Sequence, residues 1–139
     1  MTSRREARRQ AIDALYQADV TQKDPRVVLV EWHSAGRELD PFAEELVEGV
    51  AANRDEIDSV LLSHAQNWTL DRMATLDRNI LRVAIHELLH RPDTPPSVAI
   101  SEAVAIAKRL STEDSGRFVN GVLGTIAREP VGGDEPNAD

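Results

Sequence analysis

Apolar residues in this chain recur three and four apart over most of its length. No stretch alternates apolar and polar residues for long enough to make a half-buried strand. The clearest run is Leu76, Ile80, Val83, Ala84 and Leu88, which share one side of a helix; it stops at Pro92, whose ring cannot continue one. A chain patterned this way buries its apolar stripes by packing helix on helix, so the fold class is all-α. The apolar content agrees. It is mostly Ala, Leu, Val and Ile with only 4% aromatic residues, which suits close helix packing better than a sandwich of strands.

Helix boundaries follow from local chemistry. Ser3-Arg4-Arg5-Glu6 has the form of a capping box, and no Gly or Pro interrupts the chain before Pro25, so the first helix runs from about Ser3 to Val20. Ala7, Ala11, Ala14, Leu15 and Ala18 form its buried stripe, whereas Arg5, Ile12 and Tyr16 fall on a flank that the core does not explain. Asp24-Pro25 and Asp40-Pro41 each place an N-cap before a proline in the first turn. The first opens a short helix ending near Gly36; the second opens one carrying Phe42, Leu46, Val47 and Val50 inward. Asn53 with Glu56 starts a further helix, Pro95-Pro96 marks the join after the run from Leu76 to Leu88, and the last helix begins near Ser115. The result is six or seven helices in one domain over residues 1–128. Residues 129–139, rich in Pro, Gly and acid, are expected to form a disordered acidic tail.

Charge and cysteine usage narrow the function. Without cysteine there is no disulfide, thiolate nucleophile or Cys-type zinc site, and the chain suits a reducing compartment, so a cytoplasmic location is expected. No apolar run is long enough to span a membrane. The net charge of −8 argues against a protein that coats nucleic acid with its whole surface. Yet Arg4, Arg5, Arg8 and Arg9 stand together against the single Glu6. With Ser3 as N-cap, Arg4 and Arg5 occupy the first turn of the helix, where the dipole disfavours cations by roughly 0.3–1 kcal/mol each. A basic cluster where stability alone would select acids points to phosphate binding, and arginine adds stacking on unpaired bases, which favours single-stranded RNA.

His86-Glu87-Leu88-Leu89-His90 matches the H-E-x-x-H string of zinc hydrolases, with both imidazoles on one helix face. No histidine follows His90 to serve as a third ligand, and Pro92 ends the helix at once. The plainer reading is two histidines near a helix C-terminus, where imidazolium complements the dipole. No nucleophile elbow, phosphate loop or dinucleotide fingerprint is present. The expectation is therefore no catalytic site, no metal and no cofactor.

Three segments bring a family into view. Thr69-Leu70-Asp71-Arg72-Met73 through Asp77-Arg78-Asn79-Ile80-Leu81-Arg82-Val83-Ala84 to His86-Glu87-Leu88-Leu89 resembles the central signature of NusB-type proteins. Ile100-Ser101-Glu102-Ala103-Val104, Ala107-Lys108 and Ser115-Gly116-Arg117-Phe118-Val119-Asn120-Gly121-Val122-Leu123 resemble its C-terminal signature, and the Arg-rich start followed by Ala14-Leu15-Tyr16 matches too. The resemblance implies two packed helical subbundles. It also implies binding to the single-stranded boxA element of nascent ribosomal RNA, jointly with NusE, the ribosomal protein of the small-subunit head, within an RNA polymerase antitermination complex. Carried over by position, Arg4, Arg5, Arg8 and Arg9 correspond to the RNA-contacting start, and Tyr16, Asp77, Asp114 and Phe118 to the surface for NusE. Family members occur as monomers and dimers, so a homodimer is within what the resemblance implies. The alternative is a helical protein-interaction module whose basic arm is incidental.

Overall fold

The computed structural model describes residues 3–65 and 68–129, and among these every regular element is helical. In chain order they are α1 (Arg4–Thr21), α2 (Pro25–Ser34), α3 (Pro41–Ala52), α4 (Arg54–His64), α5 (Thr75–His90), α6 (Pro96–Leu110) and α7 (Glu113–Arg128), with a 3-10 turn at Leu70–Arg72 before α5. The expected tail lies, from residue 130 onward, outside the described residues.

The caps behave largely as the sequence requires. Ser3 Oγ accepts from the Glu6 amide, and Asp24 and Asp40 accept from the amides of Arg26 and Phe42. Two starts differ from expectation. Asn53 precedes α4 but makes no side-chain cap; its amide donates instead to the Gly49 carbonyl. The last helix begins at Glu113 rather than near Ser115, because Thr112 Oγ1 accepts from the Ser115 amide.

The helices form two groups: α1, α2 and α3 pack together, and α4, α6 and α7 gather with α5. Helix α5 joins the groups, packing on α1 and α3 on one side and on α4, α6 and α7 on the other. It accordingly buries most of its circumference, from Asn79 through Glu87. The core also corrects the reading of α1: Ile12 belongs to it and is buried among Leu15, Leu46, Ile80 and their neighbours. A buried stripe is at least 100° wide, so Ile12 falls at the edge of the alanine stripe rather than on a separate flank. Where α3 crosses α5, Gly49 lets the backbone approach so closely that a methyl group there would overlap the His86 ring.

Candidate functional site

Helix α1 runs antiparallel to α5. Near its start Arg8 meets Glu87, and near its end Asp19 meets Arg78, Asn79 and Arg82. This pairing sets two separate places on one helix: the arginine cluster at its beginning and Tyr16 in its second half. At 1.5 Å per residue, Arg5 and Tyr16 lie about 16 Å apart along the axis.

The four arginines are not equivalent. Arg4 is exposed and lies over the Phe42 ring, 3.9 Å from its centroid, while Arg9 is exposed and faces α6. Arg5 is also exposed, and its guanidinium donates twice to Glu102 of α6, both at 2.8 Å. Those hydrogen bonds hold the Glu102 carboxyl below its usual range. Arg8, in contrast to the expectation of a wholly exposed arm, is buried. It donates to both oxygens of Glu87 at 2.8 and 2.9 Å and lies 3.8 Å from Glu102. Burial opposes its charge, but the bonds to Glu87 outweigh that and raise its pKa. The turn between Glu6 and Arg9 therefore directs one guanidinium into the core and leaves three at the surface.

Glu87 is the glutamate of the H-E-x-x-H string, and both its oxygens are engaged by Arg8. The two histidines diverge in role as well. His86 is buried beside Gly49 with Nδ1 unpartnered among the described residues, and burial lowers its pKa, while His90 reaches the exposed Glu56 at 2.8 Å. Among the described residues no three His, Asp or Glu side chains stand close enough to hold a metal ion.

The second place gathers residues from three helices. Asp77, in the first turn of α5, is buried. Ser115 of α7 donates to one oxygen at 2.9 Å, and the other has no partner among the described residues. Burial raises its pKa, and the Ser115 bond opposes this. Next to Ser115, Asp114 is exposed and, among the described residues, pairs only with Arg117 on its own helix. One turn on, Phe118 is half-buried against Trp68, ring centroids 5.5 Å apart. Tyr16 is 42% exposed, one turn before the Asp19 that bonds Arg78 and Asn79 beside Asp77. The Ser115 bond thus sets Asp77 against the first turn of α7, where Asp114 precedes Ser115 and Phe118 follows one turn later, while Tyr16 lies one turn before the Asp19 that bonds Arg78 and Asn79. Sequence reasoning passed over Trp68; the signal was a large aromatic residue just outside the helical pattern.

A helical body with exposed guanidiniums at one place and an aromatic and acidic face at another belongs to the class of binding adaptors. The NusB family model matches residues 5–128. The chain is 48% identical over 149 aligned positions to the transcription antitermination protein NusB of Saccharopolyspora erythraea, covering all of both chains. Among solved structures, T. maritima NusB superposes with a TM-score of 0.80 at 38% identity, covering 92% of each chain. A crystal structure of the antitermination factors NusB and NusE in complex with double-stranded RNA gives 0.79 at 29% identity, covering 90% of this chain and 96% of that one. This chain belongs to the NusB family.

No helix of the described residues is long and apolar enough to cross a membrane.

Proposed function

We propose that this chain is a transcription antitermination factor working as an adaptor. It binds the boxA element of nascent ribosomal RNA as a single strand, together with NusE, so that RNA polymerase reads through termination signals. The observation that carries this reading is the presence of three exposed guanidiniums, Arg4, Arg5 and Arg9, in the first two turns of α1, the first two of them where the helix dipole disfavours cations. In this reading those three contact RNA, while Arg8 holds α1 against α5. Tyr16, Asp77, Asp114 and Phe118 form the surface for NusE. Both tasks are binding tasks, so the chain has no catalytic activity of its own and acts in the cytoplasm, where transcripts emerge. The related NusB–NusE complex carries double-stranded RNA; the single-strand preference here rests on arginine planes that can stack on unpaired bases.

Paired variants test the assignment. Arg4→Ala with Arg9→Ala should weaken single-stranded boxA RNA binding while leaving NusE binding unchanged, and Tyr16→Ala should do the reverse. If the arginine variant lost NusE with its fold intact, the assignment of the two faces would be wrong.

A further inference from the structure

Between the start of α1 and the last turns of α6 lies a cleft of about 300 Å³, near the lower bound of small-ligand pockets. Arg5 and Arg9 line it from α1 and Arg109 from α6, and Ala105, Ile106 and Leu110 supply an apolar wall. The one acid lining it is Glu6. Glu102 neutralises Arg5 and Asp13 lies within the field of Arg9, so on a chain of net charge −8 the cleft keeps a small local excess of positive charge, centred on Arg9 and Arg109. Arg5 is engaged by Glu102, but Arg9 and Arg109 take part in no ion pair or side-chain hydrogen bond among the described residues. Two exposed forks from different helices therefore face one space with their donors free, next to the apolar side chains of Ala105 and Leu110.

We propose that the α1/α6 cleft holds one nucleotide of the bound RNA strand, with its phosphate between Arg9 and Arg109 and its base against Ala105 and Leu110. This rests on the RNA-binding reading above and adds to it a residue of α6, remote in sequence from the arginine cluster. Guanidinium suits the task because its planar fork meets two phosphate oxygens at once. A competing explanation is that Arg109 only complements the dipole at the end of α6. That explanation predicts a small loss of thermal stability on its removal and no change in RNA binding.

The test is fluorescence anisotropy with a labelled single-stranded boxA RNA and the full chain, with and without NusE, over a series of salt concentrations. Arg109→Ala should weaken binding about tenfold, the loss of one charge-assisted contact. It should also make the slope of log K against log salt shallower by about 0.7. Arg109→Lys should keep the slope and lose part of the affinity, because the charge remains and the fork does not. Arg128→Ala, on the last turn of α7, should bind within about twofold of wild type, as removal of a cation that makes no RNA contact should. If Arg109→Ala bound like Arg128→Ala while Arg9→Ala was weakened, the cleft would lie off the RNA path and the RNA-binding reading would stand. Absence of binding by the wild-type chain under both conditions would overturn both.

Discussion

Replacing Glu87 with Gln leaves its size nearly unchanged and removes the charge that faces Arg8. The two side chains are 1% and 7% exposed, so the guanidinium would stay buried with its main counter-ion gone. Breaking a buried pair from one side costs about 3–5 kcal/mol. Glu102, 3.8 Å from Arg8 and only 17% exposed, remains as a second anion, which places the loss near 3 kcal/mol, the lower end of that range. Against a total stability of about 5–15 kcal/mol this is a large fraction. Urea denaturation followed by circular dichroism would measure it: at an m-value of about 1.5 kcal/mol/M, the midpoint falls by about 2 M. The double variant Arg8→Met with Glu87→Leu removes both charges and should return close to wild type, and the cycle closed with the single variants Arg8→Met and Glu87→Leu should give a coupling energy of about 2 kcal/mol or more. A loss below about 1 kcal/mol for Glu87→Gln would refute the argument that Glu87 serves α1 as its buried counter-ion.

Three further outcomes follow from the geometry. Burial, aided by His90 and Arg91, holds the folded pKa of His86 below its ordinary value of 6.5. Its contribution to stability is therefore full above that pH and lost on acidification below it, as the unfolded chain protonates first. His64 works in the opposite direction: although burial lowers its pKa, hydrogen bonds to the Val60 carbonyl and Glu129 raise it overall. The comparison is therefore wild type against His86→Phe in urea at pH 7.5 and about 5.5, and equal pH dependence in the two would contradict a buried neutral imidazole. Gly49→Ala, which drives a methyl into the His86 ring, should cost about 1–3 kcal/mol, and His86→Ala in the same chain should recover part of the loss; unchanged stability of the single variant would show that α3 and α5 can separate freely. Glu102→Gln releases Arg5 and should tighten RNA binding about twofold to fivefold in an anisotropy titration; a weaker complex would mean that Glu102 orients Arg5 for RNA.

The helices were legible in the sequence because their signals are local. Ser3, Asp24 and Asp40 cap within two or three residues, and the apolar spacing of α5 is visible in a single window. The buried polar network was not legible. Arg8 and Glu87 are 79 positions apart, and Asp19 and Arg82 are 63 apart. In a single sequence each looks like an ordinary surface charge, and only packing of α1 along α5 joins them. The same blindness made the arginine cluster look uniform, since no local rule distinguishes Arg8 from Arg9. It also hid Arg109, which reads as a normal cation at a helix end until α6 is laid beside α1. The face carrying Asp77, Asp114 and Phe118 was suggested by resemblance, and what folding adds is the Ser115 bond that ties Asp77 to the start of α7.

If this chain works as proposed, it reads a specific RNA together with a protein partner. The most direct measurement is a titration of labelled boxA RNA, scrambled RNA of equal length and boxA duplex with the chain alone and with equimolar NusE. The single-stranded boxA sequence should bind tightest, and NusE should strengthen it. With three or four phosphate contacts, the slope of log K against log salt should be roughly −2 to −3. Equal affinity for boxA and scrambled RNA in the presence of NusE, or an affinity indifferent to salt, would contradict the proposal.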